Sequence, residues 1–318
     1  MRYLGRTILA LALLVAASAP GLAQRPDEGG VVVRRPSFMR HLVSAERIEK
    51  AADQQYTALT SQASSRRVLL PPDHVQTVRV RRISAELMPF AQKWNARAKE
   101  WKWNVVVIKS PNVNAFCMPG GKIAFFTGII ETLNLTDDEV AVVMGHEMAH
   151  ALREHARART AKATLTQIGA VGIGLLFGGN WGDMARQGGG LLTLKFNRDD
   201  ERDADLIGLE MAARAGYNPQ AGISLWQKMA KVQKGTPPPW LSTHPSGEDR
   251  IARITKSLPR VMPLYEKAKA EKVAGARAPA PLPPSAPASS PAPASPPPAP
   301  APAATPPAPP ADAAPKPN

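Results

Sequence analysis

The stretch TDDEVAVVMGHEMAHALREHARAR, Thr136 to Arg159, decides how the rest of the chain is read. Thr136 can accept a hydrogen bond from the first amides of a helix while Glu139, three residues on, reaches back to the amide of Thr136, so a helix is expected to begin there. Val140, Val143, Met144 and Met148 recur at three- and four-residue steps and give that helix one apolar side to bury. His146 and His150 are four apart, which stacks two imidazoles one turn above each other, where both can reach a single Zn²⁺ at about 2.0–2.1 Å. Glu147 follows the first histidine, in position to take a proton from a water on that metal and pass it to a leaving amine. Each histidine alone would be an ordinary helix residue; the joint H-E-x-x-H pattern inside a capped amphipathic helix points to metal chemistry.

The ends of the 318-residue chain are read as lying outside the core. Arg2 and Arg6, the apolar run Ile8–Ala17 and the small residues Gly21 and Ala23 before Gln24 read as a secretory signal peptide over 1–23, with an uncleaved anchor as the competing reading. Pro279 to Asn318 holds 18 of the 33 prolines, with Ala and Ser and almost no charge, and Leu282 as its one large apolar residue, too little to offset the entropy of ordering. It is expected to be a disordered tail, serving as spacer, as partner-binding segment of unknown partner, or as plain solvated linker. Cys117 is the single cysteine and so has no internal disulfide partner; it is expected to be a small buried residue. The formal charge of +14 would suit nucleic acid or an anionic membrane surface. Export and the lack of an interleaved basic and aromatic stretch argue against nucleic acid. The basic clusters, Arg79-Val80-Arg81-Arg82 among them, are read mainly as solvated faces.

Ser44–Ala63 has helical amphipathic spacing, and a second helix is expected from Asp73 to Lys99, bent at Pro89. Trp103–Ile108, Val113–Cys117 and Lys122–Phe126 read as three strands, the last two joined by the Pro119-Gly120-Gly121 turn. A sheet edge beside a metal site can align an extended peptide by main-chain hydrogen bonds. The apolar run Leu165–Phe177 is short for a bilayer span and is expected to be a buried or interfacial helix, with membrane-surface contact as one outcome. The glycines from 178 to 190 around Trp181 read as a mobile loop that could serve as a lid. Asn197–Arg214 reads as a helix capped by Asn197 with acids in its first turn, ended by Gly216. In isolation Glu201 and Asp205 are an ordinary acidic helix start; with two histidines in need of a third protein ligand, a Glu completes a His₂Glu set, and a second acid can orient a ligand histidine. His244, before Pro245, is a loop histidine, and Ser246–Ser257 is expected to be helical.

HEMAH, then Glu201-Arg202-Asp203-Ala204-Asp205, then Ser242-Thr243-His244-Pro245 with Arg250, resembles the HtpX and CAAX-prenyl-endopeptidase family of zinc metalloproteases, and most of all its soluble periplasmic, BepA-type branch. Asn114-Ala115-Phe116, Pro119–Ile123 and Ala215–Pro219 match the same family's pattern, and the resemblance covers roughly Ser44 to Lys256. It implies zinc on His146, His150 and Glu201, Glu147 as the water-activating base, Asp205 behind a ligand histidine, and Asn114-Ala115 as the substrate-receiving edge. His244 would face the metal, either steadying an oxyanion or filling the open zinc position in a latent state. His155 sits at a spacing family members share, but on a continuous helix it would be turned about 140° from His150, so it is not taken as a ligand. The helical-repeat domain of the BepA type is not expected, the proline-rich tail standing in its place, so that branch's partner binding is not carried over; the multiple membrane spans of HtpX and the prenyl endopeptidases are not expected either, which argues against an isoprenylated substrate.

The resulting expectation is an α+β, mainly helical, zincin-like fold with a small sheet beside the HEXXH helix: 1–23 signal peptide, 24–43 N-terminal extension, 44–275 metalloprotease domain and 276–318 tail. The expected activity is that of an exported zinc endopeptidase of the bacterial envelope, acting on misfolded or outer-membrane proteins. The alternatives are a periplasmic chaperone or assembly factor with latent proteolysis, and a tethered adaptor with structural zinc.

Overall fold

In the computed structural model, residues 29–171, 191, 195–232, 238–244 and 249–274 are described. The expected signal peptide, the glycine loop and the proline-rich tail lie outside them, as do the side chains of the Leu165–Phe177 run beyond Leu165. The described residues all belong to one unit within 1–283.

The helical segments run in chain order α1 (Ala45–Ser65), α2 (Val75–Leu87), α3 (Thr127–Thr132), α4 (Asp137–Leu152), α5 (His155–Val171), α6 (Arg198–Arg214), α7 (Ala221–Val232), α8 (Pro239–Thr243) and α9 (Arg250–Val273). Strands β1 (Asn104–Ile108), β2 (Ala115–Met118) and β3 (Lys122–Phe126) form one sheet in the order β1-β3-β2. A mainly helical α+β fold with a small sheet is what the sequence predicts. The second predicted helix does not run to Lys99: it ends at Leu87, and 3₁₀ turns at Met88–Lys93 and Ala96–Lys99 follow, because Pro89 cannot donate to an α ladder. The last helix starts four residues later than predicted and runs on to Val273, past Pro259 and Pro263. Burial of Val261 and Leu264 against Val31 and Ala213 offsets the hydrogen bonds those prolines remove.

The sheet positions the site through its edges. β1 pairs parallel to β3, with Val106 opposite Ala124, and β2 pairs antiparallel, with Phe116 opposite Ala124. The outer side of β1 is covered by the segment 68–70, which bonds to Val107 and Lys109. Among the described residues, that leaves β2 as the open edge, lying along α4. Gly120 and Gly121 make the β2–β3 turn at φ +80° and +76°, and a Cβ on Gly121 would lie 2.7 Å from the Trp103 ring, so glycine is required there.

α4 is more deeply embedded than a one-sided amphipathic helix. Every residue from Glu139 to Leu152 is buried. Its second side carries His146, Glu147 and His150, polar groups that can be buried because they engage partners on α6 and α8. The capping box is formed: Thr136 Oγ1 accepts from Glu139 N–H at 3.3 Å and Glu139 Oε2 accepts from Thr136 N–H at 2.9 Å. The three acids of the first turn each fasten a different element. Asp137 accepts from Arg79 and Arg82 on α2, Asp138 from the Asn218 amide, and Glu139 from Ser224 and Lys228 on α7. Arg79 and Arg82 are therefore tethers and not the solvated face read from the sequence. Arg81 joins them, donating to Val105 O at 3.1 Å.

Residues 29–43 pack on this body. Val31 N–H donates to the buried Glu210 carboxylate at 2.8 Å, and Arg34 pairs with Asp199 at 2.7 Å. Among the described residues, no helix is long and apolar enough to cross a membrane.

Candidate metal centre

Two helices cross at glycine to make the centre. A Cβ on Gly145 of α4 would lie 2.7 Å from Gly208 O, and one on Gly208 of α6 would lie 2.6 Å from His146 N. Only glycines permit backbones to approach this closely. The contact sets Glu201 and Asp205, the latter at a three-residue and the former at a seven-residue step before Gly208 on α6, against His146 and His150 on α4.

His146, His150, Glu201 and His244 each present a donor atom, all within 4.8 Å of one another, and all four residues are buried. His146 Nε2 lies 3.1 Å from His150 Nε2, 3.2 Å from His244 Nδ1 and 3.5 Å from Glu201 Oε2. Glu201 Oε1 is 3.1 Å from His244 Nδ1 and 3.5 Å from His150 Nε2. Donors set tetrahedrally at about 2.0–2.1 Å from one ion stand about 3.3–3.4 Å apart, so the observed spacings match the edges of such a shell. Nitrogen and carboxylate donors in this number fit Zn²⁺ and do not fit an all-oxygen Mg²⁺ or Ca²⁺ site.

The surrounding charges favour a cation at this point. His146 Nδ1 faces Asp205 Oδ1 at 3.1 Å, which directs its Nε2 lone pair into the cluster when the ring is neutral. Burial alone would lower His146; hydrogen bonds to Asp205 and Glu201 outweigh it and raise the imidazole to about 9. His150 is held well below the ordinary value, chiefly by burial. Burial opposes ionisation of Glu201 and Asp205, yet both carboxyls are lowered, Glu201 by His244 and His146 and Asp205 by Arg250 and His146. Arg250, 1% exposed, holds both acids, donating to Asp205 Oδ2 at 2.9 Å and to Glu201 Oε2 at 2.7 Å. Its guanidinium lies 3.5 Å from the centroid of the Trp226 ring.

Glu147 stands beside the cluster and is engaged. The Trp240 indole N–H donates to Glu147 Oε1 at 2.6 Å, and His244 Nε2 is 3.5 Å from the same oxygen. The Trp240 ring stacks on His244, with centroids 5.0 Å apart at 26°. Glu147 and His244 line one groove with Asn114, Ala115 and Phe196. On β2 the register alternates: Phe126 N–H donates to Asn114 O, so Asn114 and Phe116 turn their main-chain groups to β3, while those of Ala115 and Cys117 turn to the open edge. Cys117 is buried on this strand, and burial pushes its thiol well up.

The structure thus brings His146, Glu147, His150, Glu201, Asp205 and His244 together, with Asn114 and Ala115 in the adjoining groove. The geometry assumed for His155 is corrected. α4 ends at Leu152 with Arg153 as its cap, Glu154 adopts φ +56°, and α5 begins at His155. His155 Nδ1 therefore meets His150 Nδ1 at 3.0 Å, on the side away from the donor cluster. Trp240, Trp226 and the role of Arg250 were missed as well. Trp240 lies four residues before His244, a helical step that could have placed both on one side of a short helix.

Residues 76–258 match the description Peptidase family M48. The chain is 30% identical over 227 residues to the mitochondrial metalloendopeptidase OMA1 of Saccharomyces cerevisiae, covering 67% of this chain and 64% of that protein. It is 28% identical over 172 residues to the beta-barrel assembly-enhancing protease of Yersinia pestis, covering 50% and 35%. With metalloprotease LoiP of Escherichia coli it shares 24% identity over 250 residues, covering 77% and 94%. The chain spans between 31% and 64% of the length of the first OMA1 relatives it matches.

Proposed function

The chain belongs to peptidase family M48, and from that premise we propose that it is a zinc endopeptidase whose metal is held by His146, His150 and Glu201. The observation that carries this reading is the convergence of three ring nitrogens and one carboxylate within 4.8 Å of one another, five of the six pairs at 3.1–3.5 Å, with Glu147 alongside. Zinc bound there would polarise a peptide carbonyl and bring a water to a pKa near 7. Glu147 takes the proton of the attacking water and delivers it to the leaving nitrogen. Asp205, fixed by Arg250, holds the His146 ring in the tautomer that presents Nε2. Ala115 and Cys117 offer main-chain groups at the β2 edge to an extended peptide, and Asn114 lines the groove beside them.

His244 is proposed as the fourth donor of a closed resting state. Its Nδ1 lies within 3.2 Å of both His146 Nε2 and Glu201 Oε1, where it occupies the place a water needs. Opening requires α8 to withdraw, which would release Glu147 from Trp240 at the same time. The closed arrangement is also what supports the second reading, a client-holding assembly factor with latent proteolysis. The work proposed for the chain is quality control of misfolded or outer-membrane proteins in a bacterial envelope, after the beta-barrel assembly-enhancing relative and the expected signal peptide.

Cleavage of an unfolded test protein, with Glu147→Gln and a chelator as controls, tests the reading. Cleavage lost in both controls, with zinc retained in Glu147→Gln, supports it. Cleavage that survives Glu147→Gln removes Glu147 from the chemistry, and cleavage that survives zinc removal ends the proposal.

A further inference from the structure

His146 and His150 both turn Nε2 into the donor cluster, so a neutral ring that gives that lone pair to a cation must carry its proton on Nδ1, and this proton needs an acceptor. For His146 the acceptor is the Asp205 carboxylate at 3.1 Å. For His150 it is a second imidazole: His150 Nδ1 lies 3.0 Å from His155 Nδ1, and both rings are buried. Two protonated nitrogens cannot share one hydrogen bond, so His155 accepts through Nδ1 and keeps its own proton on Nε2. Asp200 Oδ1 stands 3.9 Å from that Nε2, too far for a direct hydrogen bond but near enough to favour the proton there.

The ring of His150 is also stacked on Phe196, with centroids 3.9 Å apart at 33°. A stack fixes the plane of a ring and not its direction. Turned by half a revolution about Cβ–Cγ, the imidazole would lie in the same plane with carbon in place of each nitrogen. The hydrogen bond to His155 favours the orientation that aims Nε2 at the cluster. The backbone is shaped to make this contact. Glu154, between the two histidines, takes φ +56°, a left-handed value that side chains with a Cβ disfavour, and its carboxylate is held by Arg157 at 2.6 Å and Arg40 at 3.1 Å.

We infer that His155 is a positioning residue of the metal centre: its Nδ1 accepts the Nδ1 proton of His150 and thereby sets the tautomer and the direction of that ring, as Asp205 does for His146. The inference rests on the zinc reading above and extends it to the far side of His150.

Competition for Zn²⁺ between the full chain and a chromophoric chelator tests this in three variants, with thermal unfolding of each zinc-free chain to report folding. In His155→Asn the side-chain oxygen is bonded to Cγ, as Nδ1 is, so it can accept the same proton, and zinc affinity should stay within about threefold of the parent. In His155→Gln the oxygen stands one bond further out, and in His155→Leu there is no acceptor; both should weaken zinc by about tenfold or more. A role in packing alone predicts the opposite order, because Gln and Leu are closer to histidine in volume than Asn is. Zinc held alike by the parent and all three variants, or held better by the Gln and Leu variants than by the Asn variant, overturns the inference and leaves the zinc reading standing. A folded parent with no affinity for zinc overturns both.

Discussion

Gly145 and Gly208 face each other where α4 crosses α6, and the contact leaves no room for one methyl group: a Cβ on Gly208 would stand 2.6 Å from His146 N. The obstructing atoms are backbone, so a side chain cannot simply swing aside. Overpacking of this kind costs about 1–3 kcal/mol. The shift it forces would also part Glu201 from His146 and His150, whose donor atoms now lie 3.5 Å away. Gly208→Ala is therefore expected to lower both thermal stability and zinc affinity. Metal stoichiometry and calorimetric unfolding measure the two; an alanine variant normal in both would show that the crossing does not set the donor spacing.

Arg250 gives a second prediction, because it is the buried cation between two buried acids. Removing one partner of such an arrangement costs about 3–5 kcal/mol, since it strands the other charge. Arg250→Met is expected to destabilise the metal-free chain by about that amount. Zinc should recover more of the loss in the variant than in the parent, as a divalent ion beside Glu201 replaces part of the missing positive charge. Unfolding temperatures of both chains with and without zinc decide the matter. An equal loss in the two conditions would mean that Arg250 and the metal do not share these carboxylates.

Much of this centre is legible in the chain because its parts are local. Thr136 with Glu139, and Asn197, announce two helix starts through capping chemistry that operates within three residues, and both caps are formed. His146 and His150 share a turn of one helix, and β3 spans the residues its β-branched and aromatic run predicts. What escaped the reading is decided at a distance. Nothing near Glu154 marks a left-handed residue, as no glycine or proline stands there; the break follows from docking α5 against the N-terminal turn at Phe38–Leu42. The continuation of α9 past two prolines likewise depends on Val31 and Ala213, far away in sequence. Trp240 gains its meaning only when α8 folds back on α4, a closure that spacing alone does not reveal.

The acidic start of α4 yields a pH prediction. Partial burial would raise Asp137, but hydrogen bonds from Arg79 and Arg82 outweigh it and hold the carboxyl below its ordinary 3.8. A carboxyl lowered in the folded state adds stability that is complete above the unfolded value and disappears as pH falls through the folded one. Asp137→Asn should therefore be less stable than the parent near neutrality, and the two should converge in acid below pH 3.8. The group is about half exposed, so solvent screening keeps the difference small. Thermal unfolding of both chains across this range is the check, and a gap that widens toward acid would contradict the assignment.

The last prediction concerns the strap formed by α8 and His244. Trp240 N–H holds Glu147 Oε1 at 2.6 Å, and the same ring stacks on His244, so one short segment restrains both the base and the fourth donor. A hydrogen bond to a charged group contributes about 1.5–3 kcal/mol, and here that contribution opposes the motion that frees Glu147. Trp240→Phe keeps the stacked ring and deletes the donor. It should retain zinc and raise kcat/KM severalfold, up to about tenfold, near the lower end of that energy. His244→Ala should act in the same direction by vacating the donor position. Since both substitutions ease a single opening, the double variant should gain little over the better single one, a non-additivity expected of groups in one unit. Steady-state kinetics on an unfolded protein substrate, with zinc content checked in each variant, would show it. A fall in kcat in both single variants with zinc intact would reverse the assignment: the strap would then belong to the reacting geometry, with His244 steadying the oxyanion.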